Sequence, residues 1–475
     1  MSNIKIPKKT FEKEIGKLDE KMKERIALFG TPLESVDEEN LEIEIFPNRP
    51  DLLSYQGFKR SFLAFLGKRR GLKEYNLKKP EKNYQVKVSP SVKEVRPYTV
   101  CAIIKNLKLN EEKIKELIEI QEKLHTTIGR KRKKLAIGIY PLEKIKLPIY
   151  YEALEPDKIK FRPLESPREM SGLEILQRHP TGREYSHLLK GKVKFPVFRD
   201  SNDNILSMPP IINSEQTGRI TEKTKEVFVE CSGFDLNILK KCLNIITTTM
   251  SDMGGKIYSM EIKSREKIVT PDLSSEKMKI SLENTNKLLG LNLTEKQLKT
   301  LLEKMGHNYD SKKKEVEIAP WRTDILHEVD LIEEVAIAYG YENFDPLIPD
   351  ISSIGKENFE EIVKKKIAEI LTGLGMLEVS NFYLTNKKNQ FEKMGVAENQ
   401  EKNYIALSES KTDYNILRKD LSHYLLKNFS SNVDSEYPQK IFEIGKVFRD
   451  NKGKVEEIDR LGIALEKWEK STQKY

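Results

Sequence analysis

The apolar segments of this chain are short and change their period from one to the next, and this most limits what it can fold into. "LEIEIFPNRP" reads as a strand ending in a stiff Pro-Asn-Arg-Pro turn, whereas Phe58, Phe62 and Leu66 fall at helical spacing with Gly67 to stop them. "VCAIIKNL" and "KLAIGIY" are strand-like, and "FPVFRDSNDNILSM" has two strand-like arms around Asp, Ser and Asn residues that suit a hairpin. Runs such as "LNIITTTM" stop far short of a membrane span. A length of 475 residues is too much for one hydrophobic core, so about three or four domains are expected.

Local signals mark several elements. Asp235 caps a helix with Leu239, Cys242, Leu243 and Ile246 on one face, and Gly254-Gly255 closes it before the strand "KIYSMEI". Thr294 and Gln297 form a capping box for a helix whose Leu298, Leu301, Leu302 and Met305 face inward. Two short helices followed by "EVEIAP" predict a winged-helix arrangement. The tract "GKRRGLKEYNLKKPEKN" reads as a solvated linker, and "PLIPDISSIGKEN" as a connector to the helix "FEEIVKKKIAEILTGLG" and the strands "EVSNFYLT" and "KIFEIGKVF". The expected class is α+β and multidomain, with boundaries at 1–85, 86–265, 266–347 and 348–475. There is no internal repeat and no low-complexity tract.

Lys plus Arg number 83 against 74 Asp plus Glu, and the net charge of +9 permits a polyanionic partner without requiring one. Cys101, Cys231 and Cys242 lack paired spacing, which argues against a disulfide framework and a thiolate zinc site. The start "MSNIKIPKKTFEKEIG" has no apolar signal core, so a soluble, cytoplasmic protein with no membrane role is expected. The densest basic run, Arg130, Lys131, Arg132, Lys133 and Lys134, is either solvated surface or a phosphate-contacting patch for RNA.

"RTDILHEVDLIEEVAIAYG", residues 322–340, is unusual in grouping its acids. Counting from Asp330, Glu333 and Glu334 are the i+3 and i+4 positions, so three carboxylates share a helical face, while Val329, Ile332, Val335 and Tyr339 form an apolar stripe. Asp324 lies just before the helix. Like charges at this spacing destabilise an isolated helix by a few tenths of a kcal/mol per pair, so something positive should offset them. The helix macrodipole with nearby lysines could do so. So could a hard cation such as Mg²⁺, which prefers one or two carboxylates plus waters and leaves room for a second chain.

"APWRTDILHEVDLIEEVAIAYGYENF" closely resembles the B5 module of the phenylalanyl-tRNA synthetase beta-subunit family, and "FPNRPDLLSYQGFKRSFLAFLG" is similar to its N-terminal module. "QEKLHTTIGRKRKKLAIGIY" and "HPTGREYSHLL...LSMPPIINSEQTGRIT" resemble the B3/B4 editing module in its archaeal and eukaryotic form. "ILTGLGMLEVSNFYL" and "IFEIGKVFRDN" resemble a degenerate class II synthetase core with an antiparallel sheet. The four domains are thus a B1-like N-terminal module, a B3/B4-like editing domain, a B5-like winged-helix-type domain and a non-catalytic core-like domain. Family members continue past the point where this chain stops, so the last domain is expected to be shortened.

The resemblance implies that Asp324, Asp330, Glu333 and Glu334 occupy the family's Mg²⁺ positions, in a site shared with a catalytic alpha subunit. It implies an (alpha-beta)2 heterotetramer, tRNA(Phe) as partner, and ATP used by the holoenzyme through the alpha chain. This chain shows no P-loop and no third class II motif. It also implies hydrolysis of mischarged Tyr-tRNA(Phe). A hydrophobic pocket excludes an isostere that adds only a hydroxyl by roughly a hundredfold, so a second pocket must bind the phenol through a buried acceptor. Glu230, which interrupts the apolar run "EVFVECSG", is the best-placed acceptor; Ser207 and Phe198 on the hairpin arms are further pocket positions, and His187, Asn213, Ser214 and Thr217 are placed to orient water or the terminal ribose. Each of these is also an ordinary core, surface or turn residue type. No Ser-His-Asp order or Cys-His pairing emerges, so hydrolysis would use a positioned water. Two other readings compete: a freestanding trans-editing hydrolase, and a non-enzymatic nucleic-acid-binding protein using the winged-helix unit. The helix "TEKQLKTLLEKMG" has three lysines and no arginine, which is poor for base readout.

Overall fold

The structure is a computed structural model that describes residues 2–264, 266–348, 352–396 and 404–467. The chain divides into two compact units, Met1–Pro346 and Leu347–Tyr475. It is a mixed α and β, multidomain protein. No helix among the described residues is long and apolar enough to cross a membrane.

In the first unit, a three-stranded antiparallel sheet (Ser2–Pro7, Asn40–Ile45, Leu33–Val36) packs against the helix Tyr55–Phe65, whose Phe58, Phe62 and Phe65 are buried. A ten-stranded sheet follows. Its order runs Ile212–Asn213, Ile205–Met208, Phe195–Arg199, Ile149–Leu154, Gln85–Val88, Lys256–Lys263, Tyr98–Lys105, Val227–Gly233, Leu135–Pro141, with Lys267–Thr270 also paired to Lys256–Lys263. Gln85–Val88 is parallel to both its neighbours. The sheet therefore begins one residue before, and ends five residues beyond, the span 86–265.

Strand alternation sorts the side chains onto two cores. Val227, Val229 and Cys231, with Val100, Ala102, Ile104, Leu135, Ile137 and Ile139, pack with the helices Glu111–Thr126 and Leu236–Asp252. The intervening residues Phe228, Cys101, Ile103 and Tyr140 pack on the opposite face with Tyr151, Phe198 and Ile175. By the same period of two, Glu230 falls on the second face beside Tyr140.

The local signals hold where their partners are local. Asp235 accepts from the backbone N–H groups of Asn237 and Ile238, and Thr294 and Gln297 form the capping box. The hairpin Phe195–Arg199/Ile205–Met208 is present, and Asp200 fixes its turn by accepting from the backbone N–H groups of Asn202 and Asn204, both at 2.9 Å. The helices Leu282–Leu289 and Glu295–Lys304 and the antiparallel strands Glu276–Lys279, Glu315–Ile318 and Asn308–Asp310 make the winged-helix-like arrangement.

The expected linker is exposed along much of its length but is tied down at several points rather than free. Gly71 N–H donates to Glu303 O at 2.7 Å and Lys78 N–H to Ile257 O at 2.9 Å, while Leu72, Tyr75 and Leu77 pack on the first core. Tyr75 donates to Asp252 at 2.8 Å, Lys73 pairs with the same carboxylate, and Arg60 reaches it at 2.6 Å while lying 4.3 Å over the Trp321 ring. Lysine-rich sequence hid this because the anchoring groups lie some 180 to 250 residues away in the chain.

In the second unit, the helix Phe359–Gly373 leads into a sheet of Leu377–Glu378, Gln439–Asn451 and Lys454–Glu466. The long hairpin is antiparallel, but Leu377–Glu378 pairs parallel with Gln439–Asn451, so the sheet is not purely antiparallel. Its two-residue turn, Lys452-Gly453, has positive φ at both positions, 53° and 83°, as a type I′ turn requires. Within the expected strand "EVSNFYLT", residues 378–385, only Glu378 and Leu384–Thr385 are in strands, and between them Asn381 bonds Glu443 at 2.8 Å.

Candidate functional site

The acidic helix forms as Glu328–Tyr339. Asp330 caps its start, accepting from the N–H groups of Leu326 and His327, both at 2.7 Å. Ile332 and Val335 are buried as the stripe requires, but Val329 is 49% exposed and Leu331 takes the inward position instead. The buried Arg322 guanidinium holds Asp324 at 2.8 and 2.6 Å and Glu334 at 2.9 and 2.8 Å, two forks from one side chain. His307, fully buried, lies 3.4 Å from Glu334, and Arg49, itself forked onto Asp51, lies 3.9 Å away. Burial raises the Glu334 carboxyl, but Arg322, His307 and Arg49 outweigh it and hold Glu334 well below the usual carboxylate range. Asp324 is lowered in the same way: burial opposes, and Arg322 prevails. Glu333 goes the other way, raised by burial and then by Glu334, Asp330 and Asp324.

All four carboxylates line one cleft of about 870 Å³, walled on the far side by Phe29, Gly30 and the Pro47-Asn48-Arg49-Pro50 turn of the N-terminal module. Their proximity does not make a cage. Among the described residues no group of three His, Cys, Asp or Glu converges as a metal site. Arg322 engages Asp324 and Glu334, while Glu333 and Asp330 line the cleft without contact to that guanidinium. That donor set fits a hydrated hard cation with one or two protein carboxylates, and does not fit a four-carboxylate shell supplied by this chain.

The second site is built on the sheet's other face. Glu230, 2% exposed, sits mid-strand with Tyr140 on the neighbouring strand. The Tyr140 hydroxyl lies 2.8 Å from Ser207 Oγ, 3.3 Å from Asn213 Oδ1 and 3.4 Å from Glu230 Oε1, so Ser207, Asn213 and Glu230 meet around one phenol of the chain itself. Burial pushes the Glu230 carboxyl up to about 8, against the pull of Arg96, Tyr140 and Ser232. Its Oε2 is buried without a hydrogen-bond partner among the described residues. Gly138 makes this juxtaposition possible: a Cβ there would lie 2.2 Å from the Tyr140 hydroxyl and 2.6 Å from Glu230 Oε1.

Glu230 and Asn213 line a cleft of about 170 Å³ together with His125, Arg132, His179 and the Pro209–Ile212 segment. The other expected pocket residues fall elsewhere. Phe198 is fully buried and stacks on Tyr151 at 4.4 Å between ring centres. Ser214 and Thr217 are buried and bond the Leu206 carbonyl, at 2.8 Å from the Ser214 N–H and 3.5 Å from the Thr217 hydroxyl. His187 is exposed, its Nδ1 bonding the Glu184 carbonyl, and does not line the cleft. Tyr140, His125 and His179 are the residues sequence reasoning missed. Tyr140 was accessible in principle, since it alternates with Gly138 along a strand; the histidines carry no local signal.

In the basic run, Arg130, Lys131 and Arg132 have φ of 47°, 53° and 64°, a left-handed turn. Arg132 turns inward, bonding Ile211 O at 2.9 Å and Glu122 at 2.8 Å with its guanidinium 4.5 Å over Tyr185, while Arg130, Lys131, Lys133 and Lys134 are exposed.

Comparison with known proteins places the chain in a family. Residues 278–341 match the tRNA synthetase B5 domain profile, and residues 346–474 match the phenylalanyl tRNA synthetase beta chain CLM domain. The phenylalanine–tRNA ligase beta subunit of Thermococcus sibiricus is 41% identical over 403 residues, covering 84% of this chain and 71% of the relative. The chain belongs to the phenylalanine–tRNA ligase beta-subunit family. The family's Archaeoglobus fulgidus member is 39% identical over 435 residues, covering 91% of this chain and 79% of its own length. A crystal structure of an N-terminal fragment of the phenylalanyl-tRNA synthetase beta subunit from Pyrococcus horikoshii superposes with a TM-score of 0.68 at 39% identity, covering 71% of this chain and 99% of the fragment. The family's B5 profile spans the acidic helix and Arg322.

Proposed function

We propose that this chain is the beta subunit of a cytoplasmic phenylalanine–tRNA ligase: it supports ATP-dependent attachment of L-phenylalanine to tRNA(Phe) by a separate alpha subunit and hydrolyses mischarged Tyr-tRNA(Phe). The observation that carries the hydrolytic reading is Glu230, whose buried Oε2 has no hydrogen-bond partner among the described residues and belongs to a residue lining a cleft of about 170 Å³. A dry cavity of about 150 Å³ takes one benzene ring, so the cleft suits a single aromatic group with a polar end. A tyrosyl phenol would pair Oε2; phenylalanine would leave it unpaired, at a cost of about 1 to 3 kcal/mol. The raised Glu230 carboxyl suits the task, because a protonated acid both donates and accepts, as a phenol does.

Assembly is supported by the first cleft. Leu326, 81% exposed, and Tyr341 line it beside Glu333 and Asp330, giving an apolar rim around open carboxylates of the kind a partner chain covers. Glu333 and Asp330 would hold Mg²⁺ there through waters, with the remaining positions left to an alpha subunit in an (alpha-beta)2 heterotetramer; bound there, the cation would supply the positive charge that screens these acids. The exposed Arg130, Lys131, Lys133 and Lys134 are suited to phosphates of tRNA(Phe).

The test is to co-express the chain with an alpha subunit and to assay Phe-tRNA synthesis and Tyr-tRNA hydrolysis for wild type and Glu230→Ala. Loss of hydrolysis with synthesis intact is the expected result. A variant that clears Tyr-tRNA normally would remove Glu230 from the pocket, and a stable monomer that hydrolyses Tyr-tRNA alone would make the chain a freestanding hydrolase.

A further inference from the structure

Two side-chain atoms of residues lining the smaller cleft are shielded from solvent and make no hydrogen bond among the described residues: Glu230 Oε2 and His179 Nδ1. His179 is 7% exposed and stands at the start of the helix Pro180–Tyr185. Its tautomer follows from its other nitrogen. Nε2 lies 3.1 Å from the Leu164 carbonyl oxygen, which can only accept, so Nε2 carries the hydrogen and the neutral ring keeps its lone pair on Nδ1. Leu164 is itself fixed, its N–H donating to Asn213 O at 2.9 Å, so the ring is tied to the segment that carries another cleft residue.

The other histidines nearby have no such free acceptor. His125 Nε2 accepts from the Ile137 N–H at 2.8 Å, and its Nδ1 lies 3.2 Å from Glu122, which also holds Arg132. His187 lies outside the cleft. The remaining titratable groups lining the cleft are Glu122, Arg132, Glu165 and Glu230. Glu122 and Arg132 are bonded to each other and Glu165 is exposed. His179 is thus the one cleft histidine with an unused lone pair in a protected position.

We propose that His179 binds and deprotonates the attacking water of the editing reaction, with the tyrosyl phenol held at Glu230. This rests on the editing reading above and adds the residue that acts at the other end of the aminoacyl group. In the step, the water oxygen bonds to the ester carbonyl carbon and one water proton passes to His179 Nδ1. The bond from that carbon to the ribose oxygen then breaks, and the proton returns from Nδ1 to the ribose hydroxyl, releasing tyrosine and free tRNA. Atoms and charge balance without a cofactor.

The test uses the complex with its alpha subunit and preformed Tyr-tRNA(Phe), comparing wild type, His179→Gln and Glu230→Ala in single turnover. The glutamine amide keeps a donor for Leu164 but has no basic nitrogen to take a proton, its carbonyl oxygen being only a hydrogen-bond acceptor. The saturated hydrolysis rate of His179→Gln should fall by about 100-fold or more, with unchanged half-saturating enzyme concentration, Phe-tRNA synthesis and melting temperature. Should His179→Gln hydrolyse as fast as wild type while Glu230→Ala does not, this proposal is overturned and the editing reading stands. A rise in half-saturation with the saturated rate preserved also overturns it, since His179 would then bind substrate rather than water. A wild-type complex unable to hydrolyse Tyr-tRNA would bring down the editing reading and this inference together.

Discussion

Glu334 and Glu230 are both glutamates almost fully removed from water, at 4% and 2% exposure, yet their electrostatic fates are opposite. Glu334 is met by both prongs of Arg322 and stays charged; Glu230 has a phenol, a serine and an asparagine around it, no guanidinium in hydrogen-bond contact among the described residues, and is pushed up to about 8. Burial is common to both, so the partner decides. A buried carboxylate paired with a cation is a fixed structural charge; one without a cation is held in its neutral form.

Removing the partner should break the contrast most severely. Arg322→Ala leaves Glu334 and Asp324 buried without their cation and should cost about 3 to 5 kcal/mol of stability, read from urea denaturation of the first unit's transition. Arg322→Lys should recover only part of this, because an ammonium cannot fork onto two carboxylates.

Gly138→Ala should come next, at about 1 to 3 kcal/mol, since its Cβ would collide with the Tyr140 hydroxyl and Glu230 Oε1. It should also abolish Tyr-tRNA hydrolysis while sparing Phe-tRNA synthesis, which an equivalent change on the opposite face of the strand would not do.

The pH dependence sharpens the comparison through its sign. Glu230 is protonated in the folded chain and ionised in the unfolded chain between its ordinary value of 4.5 and about 8. Its contribution is therefore complete below about 4.5 and is lost as pH rises through about 8. Glu334 is lowered on folding, so its contribution is present above 4.5 and is lost as pH falls below it. Denaturation of wild type, Glu230→Gln and Glu334→Gln across pH should show the first substitution flattening the alkaline limb and the second the acid limb; matching profiles would contradict the contrast.

The smallest effect is expected in the basic run. Replacing Lys133 and Lys134 by alanine should weaken tRNA binding by a few fold and lower the salt slope by about one to two with no change in melting temperature. Arg132→Ala should destabilise the fold instead, since its guanidinium bonds Ile211 O and Glu122.

What the sequence disclosed follows the reach of each interaction. The Asp235 cap, the Thr294–Gln297 box and the Asp200-centred hairpin depend on partners within four residues, and each formed. Glu230 is legible as a charged residue interrupting an apolar strand, although an ordinary structural role fits it equally well in the sequence, and strand alternation sets its face. Arg322 was two residues from Asp324, but its second fork reaches Glu334 twelve residues on, and a count of acids along the helix does not show that two are already engaged. His179 and His187 are eight residues apart and similar in composition of context; only the packing of Leu164 and Pro209–Ile212 makes one an inward acceptor and the other a surface group. The anchoring of the segment 68–83, much of it exposed, is hidden for the same reason, its partners being contributed by helices and strands far along the chain.

Asp252 gathers Arg60 from the N-terminal helix, Lys73 and Tyr75 from the strap that follows it, and through them the Trp321 ring of the winged-helix region. Opening any one of these regions would leave the buried Asp252 carboxylate short of a partner, so they should lose amide protection in hydrogen exchange together and melt as a single cooperative block.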